Sequence, residues 1–191
     1  MSLIHEIDYG TPKSKAERTV TLTIDDKQIT VPEGTSIMRA AMEAGTEIPK
    51  LCATDMLDAF GSCRICLVEI AGRNGTPASC TTPVADGIVV HTKSERLDRI
   101  RKGVMELYAS DHSVTSLDRN AKENKYVELL DVAADVGLEE VRYGFGCEHH
   151  PNTGVDDSNP YFIYDPAKCI LCSRCVRACE DEQGNLALTI S

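Results

Sequence analysis

The chain lacks an excess of positive charge: 20 basic side chains against 30 acidic ones leave a net charge of -10 over 191 residues. Nucleic acids and anionic membrane surfaces are bound by lysine and arginine neutralising phosphate, so neither is an expected partner. Also missing is an uninterrupted apolar run near the roughly 18 residues that suggest a spanning helix, and the first residues do not read as a basic, apolar leader. No phosphate loop and no nucleophile, base and orienter set stand out. Gly144-Phe145-Gly146 lacks the strand–turn–helix setting of a dinucleotide site. These absences predict a soluble protein of the cytoplasm or a similar reducing compartment, without substrate chemistry of its own. What the sequence does have is cysteine. There are nine, an uneven count in tight x2 spacings, which fits metal binding better than a disulfide framework. The hydrophobic content of 42% and charged content of 26% are ordinary for a globular protein, and the length suits one domain or two small ones.

The pattern predicts an α+β chain in four parts. Residues 1–17 are polar, with Gly10, Pro12 and Lys13, and read as a flexible or partner-bound arm. Over 18–92, RTVTLTIDDKQITVPEG alternates apolar and polar residues on both sides of Asp25-Asp26, the pattern of a hairpin with one buried face. TSIMRAAMEAG then switches to helical spacing, with Thr35 or Ser36 able to cap its start and Gly45 to stop it. With the strands CLVEIAG and GIVVHT this makes a small mixed sheet of β-grasp, 2Fe-2S ferredoxin-like order. Residues 93–143 read as a connector of two amphipathic helices, one with Leu97, Ile100, Val104 and Leu107 on its stripe, the other with Val127, Leu130 and Ala134. Residues 144–191 read as a loop or linker followed by a bacterial-ferredoxin-like segment ending in the strand-like LALTIS.

Cys52, Cys63, Cys66 and Cys80 form the first cysteine set. Four soft thiolates can enclose a zinc ion or an iron–sulfur cluster. A 2Fe-2S unit has two irons and needs two ligand pairs, and one close pair with two distant singles suits that better than two matched knuckles. Gly61 and Ser62 stand where the backbone must wrap close to inorganic sulfide and donate N–H groups to it. Structural zinc is the alternative. The second set, Cys169, Cys172, Cys175 and Cys179, has the spacing C-x2-C-x2-C-x3-C, and three cysteines at successive x2 steps wrap one 4Fe-4S cube. In two-cluster ferredoxins the fourth cysteine of such a run ligates the other cluster. Cys179 therefore has three possible fates: ligand of a second 4Fe-4S cluster completed by further chain or a partner subunit, local fourth ligand, or bystander to a remote ligand, Cys147. Cys147 in GFGCEHH otherwise reads as a free thiol, and His149 and His150 beside it as solvated.

TLTIDDKQITVPEGTSIMRAAMEAGTEIPKLC, FGSCRICLVEI and PASCTTPV resemble the N-terminal iron–sulfur region of the α subunit of NAD-dependent, molybdenum- or tungsten-containing formate dehydrogenases. That region is similar in turn to the large iron–sulfur subunit of respiratory NADH dehydrogenase and to part of some iron hydrogenases. The likeness runs from about Thr19 to Ser191. It implies a 2Fe-2S cluster on the first set, and partners in a metal-pterin catalytic domain or subunit and in flavin- and NAD-binding diaphorase subunits. The metal-pterin, FMN and NAD would sit on those other domains or subunits. The chain would relay electrons from formate oxidation toward NAD. Many relatives also carry a cluster held by one histidine and three cysteines. Here the histidine matches His112, but Ser116 and Arg119 stand at the first two cysteine positions and no cysteine lies between Cys80 and Cys147. The connector is thus expected to have lost that site, leaving His112 as a helix cap or surface residue. A hydrogenase or NADH dehydrogenase host and, outside electron transfer, a zinc-stabilised interaction module or redox sensor are the alternative readings.

Overall fold

The computed structural model describes residues 7–112, 117–118, 127–144 and 154–189. They divide into two compact units, Met1–Leu97 with Ser173–Ser191, and Asp98–Cys172.

The first unit is built on a mixed α+β sheet. Strand β1 (Thr19–Ile24) points Val20, Leu22 and Ile24 into the core and alternates them with more exposed threonines, as a half-buried strand should. It pairs antiparallel with β2 (Lys27–Pro32) through a two-residue turn at Asp25-Asp26, and both turn residues have positive φ, 44° and 68°. That is the backbone a tight hairpin needs, and aspartate tolerates it better than most residues. The Asp25 carboxylate also accepts from the Thr92 amide (2.8 Å) and hydroxyl, tying the turn to the chain leaving the sheet. Helix α1 (Ile37–Glu43) begins where Ser36 accepts from the Arg39 amide at 3.0 Å. It ends at Gly45, φ 77°, where the amides of Gly45 and Thr46 return to the carbonyls of Met42 and Ala41. Strand β3 (Glu69–Ile70) pairs antiparallel with β4 (Val89–His91), and β4 lies parallel to β1, giving the order β2-β1-β4-β3.

The arm before the hairpin is not loose over residues 8–14. Thr11 is buried, its hydroxyl shares a 2.6 Å hydrogen bond with Ser36, and its carbonyl accepts from the buried Arg39 guanidinium at 2.6 Å. Gly10 makes this fit possible: its φ is 82°, and a Cβ there would stand 2.3 Å from the Met38 sulfur.

Helices α2 (Glu95–Asp111), which belongs to the second unit from Asp98 on, and α3 (Glu128–Asp135) occur where the periodicity places two helices. Their buried stripes differ from the expected ones. On α2 the buried residues are Leu97, Arg101, Met105, Glu106 and Ala109, while Leu107 is 57% exposed. On α3 they are Leu129, Leu130, Val132 and Ala133, with Ala134 exposed. Glu106 takes a two-pronged ion pair from Arg142, Nε at 2.9 Å and Nη2 at 2.6 Å, which accounts for a charged residue on the buried face. His112 is 3% exposed, so it is an interior residue rather than a surface one. Ser116, Arg119, Cys147, His149 and His150 lie outside the described residues. No helix among the described residues is long and apolar enough to cross a membrane.

Helix α4 (Arg174–Arg177) and a π-turn (Ala178–Glu182) follow, both without buried residues. The strand-like tail forms no strand over its described part, where Leu186 is 76% exposed. Alternation by itself makes a strand only where a neighbour offers backbone partners.

Candidate metal centre

Backbone hydrogen bonds bring the first cysteine set together. The Ile37 and Met38 amides at the start of α1 have no partners within the helix and donate instead to Thr82 and Ser79, fixing the segment that carries Cys80. The Ser79 amide donates to the Cys66 carbonyl and the Val68 amide to Pro77, so the strand leaving Cys66 runs beside the segment entering Cys80. The two sulfurs stand 3.4 Å apart. Two thiolates on one tetrahedral metal, with metal–sulfur bonds of about 2.3 Å, lie at a similar separation.

Cys52 and Cys63 form the other pair, near enough for each thiol to shift the pKa of the other. All four thiols are free and 3% exposed or less. Sequence spacing makes Cys63 and Cys66 the close pair; in the fold Cys66 meets Cys80, and Cys63 is coupled to Cys52. Two pairs of sulfurs are what two irons require.

Within each pair one sulfur gathers the donors. The Cys63 thiol, with the Cys63 and Ser62 amides and the Ser62 hydroxyl, pulls the Cys52 pKa well down against the opposing effect of burial. The Cys80 thiol, helped by the Cys80 amide and the Ser79 hydroxyl, lowers Cys66 in the same way. Cys63 and Cys80 are pushed up, first by the hydrogen-bonding thiol of the partner beside each and then by burial. The Ser79 hydroxyl is wholly buried and has no oxygen or nitrogen partner among the described residues. A site that collects N–H and O–H donors around buried sulfur fits thiolate ligands and the bridging sulfides of a cluster.

The backbone carries the same signature. Among the described residues five non-glycines have positive φ; two are the hairpin aspartates, and the others are Arg64, Leu171 and Ser173, all within the cysteine runs. Such left-handed residues turn successive amides toward one point and make anion-binding hollows. Gly61, φ 72°, lies against Thr81, whose Cγ2 would be 3.0 Å from an added Cβ.

The second set is built differently. Cys169 and Cys172 belong to one compact unit and Cys175 and Cys179 to the other. Cys175 is exposed and the other three are half-buried. The Cys179 thiol donates to the Asn185 carbonyl at 2.8 Å, and the Asn185 amide returns to the Cys179 carbonyl at 2.9 Å.

Two features have no signal in the cysteine spacing. Asp8 accepts from the amides of Gly10 (2.8 Å) and Asp55 (2.9 Å) and from Lys50 Nζ (2.9 Å), bracing the loop that holds Cys52. Arg177, between Cys175 and Cys179, reaches the carbonyls of Cys52 and Asp58. Proximity to a cysteine run marks Arg177 in hindsight; nothing in the sequence marks Asp8.

A family model for a 2Fe-2S iron–sulfur cluster binding domain matches residues 17–95. In the crystal structure of an NAD+-reducing [NiFe]-hydrogenase in the H2-reduced state, one chain superposes with a TM-score of 0.72 at 32% identity, over 90% of this chain and 70% of that one. Residues 17–95 thus belong to the 2Fe-2S iron–sulfur cluster binding domain family. The chain is 35% identical over 177 residues to the α subunit of the NADPH-Fe(3+) oxidoreductase of Geobacter sulfurreducens, covering 90% of this chain and 20% of that protein. It is 37% identical over 169 residues to the HndD subunit of the NADP-reducing hydrogenase of Solidesulfovibrio fructosivorans, covering 86% and 28%. It is also 33% identical over 171 residues to a subunit of the NADH-quinone oxidoreductase of Rickettsia bellii, covering 86% and 24%. The 2Fe-2S chain thus spans between a fifth and somewhat over a quarter of the length of these curated relatives.

Proposed function

We propose that the chain is an electron-relay segment of a soluble, cytoplasmic, NAD(P)-linked oxidoreductase complex. Cys52 with Cys63 and Cys66 with Cys80 hold the two irons of a 2Fe-2S cluster on a β-grasp sheet. Cys169, Cys172 and Cys175 hold a 4Fe-4S cluster, and Cys179 is its local fourth ligand or a ligand of a second such cluster. The observation that carries this reading is the resolution of four buried cysteines into two pairs, one with sulfurs 3.4 Å apart. When bound, such clusters supply one-electron transfer at potentials set by hydrogen bonds to sulfur, burial and net charge.

The chain's own residues give that site its character. Ser62 and Ser79 steady thiolates, the core excludes water from all four sulfurs, and the backbone at Gly61 and Arg64 is shaped to wrap a cluster.

For the host complex, the sequence resemblance favours a formate dehydrogenase, with electrons passing from a metal-pterin site toward flavin and NAD through diaphorase subunits. The relatives named above favour a second reading, a hydrogenase or an NADH dehydrogenase complex. One experiment addresses both levels. Protein purified anaerobically should be brown, contain inorganic sulfide, bleach with dithionite and show a 2Fe-2S and at least one 4Fe-4S signal by EPR. A colourless, zinc-loaded preparation would sink the relay. In the native complex, reduction of these signals by formate but not by H2 selects formate dehydrogenase, and the reverse selects hydrogenase.

A further inference from the structure

Arg177 stands in the second cysteine run but spends its hydrogen bonds on the first cluster loop. Its Nη1 donates to the Asp58 carbonyl at 2.5 Å and its Nη2 to the Cys52 carbonyl at 2.6 Å. The guanidinium carbon lies 5.7 Å from the centroid of the Phe60 ring, within range of a cation–π contact. Its Nε is buried. All these residues belong to the same compact unit. A planar fork with two parallel donors is what an arginine offers and a lysine does not. Here one fork spans two carbonyls of a single loop, and one of them belongs to a proposed metal ligand.

This grip has a mechanical and an electrostatic consequence. Mechanically, α4 carries Cys175 and leads into the turn with Cys179, and neither element buries a side chain of its own. With no buried apolar face to seat it, the segment is tied to the first loop by Arg177. Electrostatically, an arginine keeps its positive charge at any working pH. Adding one electron at the Cys52 site adds one negative charge, and a fixed cation beside a ligand favours that reduced form. The surrounding chain is acidic, with a net charge of -10, so a local cation runs against the prevailing field.

We propose that Arg177 is a positioning residue that clamps the segment carrying Cys175 and Cys179 onto the loop of the first set and raises the reduction potential at Cys52. The proposal rests on the electron-relay reading.

The test is an EPR-monitored redox titration of the anaerobically purified holoprotein, with dithionite supplying the electron, on the native protein, Arg177→Gln and Arg177→Lys. Arg177→Gln is expected to shift the 2Fe-2S equilibrium tenfold toward the oxidised form, about 59 mV more negative for a one-electron couple. Arg177→Lys keeps the charge and is expected to stay within twofold of the native equilibrium. A purely structural role would shift both variants alike, because both lose the fork. The proposal is overturned if the Gln variant keeps the native potential, or if the Lys variant shifts as far as the Gln variant. Should the Gln variant fail to load its cluster, the Lys variant decides: a native potential supports the proposal and a tenfold shift overturns it. A native protein without iron and sulfide would overturn the relay reading itself, and is recognised before any variant is titrated.

Discussion

The two cysteine sets contrast in how they are held. Cys52, Cys63, Cys66 and Cys80 are 3% exposed or less, in loops pinned by α1 and by the pairing around Cys66 and Ser79. The second set lies in short turns without a buried side chain over α4 and the π-turn, and Cys175 is exposed. Hydrophobic burial positions the first set before any metal arrives, because Leu22, Ile24, Ile37 and Val90 close the core whether or not sulfur is ligated. The second set has mainly local turns and the grip of Arg177. On the proposed relay reading, metal binding and folding of that set would be the same event.

The largest expected effect separates the sets outright. Cys66→Ala should abolish the 2Fe-2S EPR signal, because its partner Cys80 then has no second thiolate on the same iron. The 4Fe-4S signal should persist. Loss of both signals together would mean that the sets form one folding unit and would end the contrast.

Stripping iron with a chelator probes the contrast without a mutation. Amide exchange followed by mass spectrometry should show residues 19–32 still protected and residues 169–182 losing most of their protection. Equal loss in both regions would show that the sheet also depends on its cluster.

Core and loop substitutions sharpen the comparison on a finer scale. Leu22 is 1% exposed, and Leu22→Ala should cost about 2–5 kcal/mol in denaturant unfolding, with the second set's exchange unchanged. Gly61→Ala forces an alanine into left-handed backbone and sets a Cβ against Thr81, at a cost of about 1–2 kcal/mol. Gly45→Ala has the same φ penalty but open space around it, so the difference between the two variants isolates the crowding beside the cluster loop.

How much of this is legible in the sequence follows the range of the interactions. The Asp25-Asp26 turn, the Ser36 cap and the Gly45 stop are local choices between near neighbours, and a few residues suffice to read each. The first cysteine set is legible as a set because its residue types and spacing carry the chemistry. Its pairing is not, since Cys66 meets Cys80 only through the Ser79–Cys66 backbone bond and the capping of α1. The helical stripes are displaced for a related reason. Apolar periodicity favours Leu107, but the fold buries Arg101 and Glu106, and Glu106 has a partner 36 residues away in Arg142. The burial of His112 likewise has no local cause to read. Polar composition makes the arm look loose, yet Asp8, Gly10 and Thr11 each meet partners that lie far along the chain.

That arm supplies the smallest effect, through Asp8. Burial acts to raise its pKa, but Lys50 and the amides of Gly10 and Asp55 outweigh it and hold the carboxyl below its ordinary value. A carboxylate lowered by folding contributes stability that is fully present above its unfolded pKa, about 3.9, and is lost as pH falls through the lower folded one. The contribution should therefore be level near neutrality and fade below about pH 4. The Asp8 side chain is 38% exposed, so solvent screens the ion pair and the effect is small. Asp8→Asn removes the charge but keeps the shape. The difference in urea midpoint between native protein and Asp8→Asn should be constant near neutrality and narrow as the solution is acidified. A difference that widened with acid would mean that burial outweighs the donors, and that the arm bracing Cys52 is held by Thr11 and Arg39 alone.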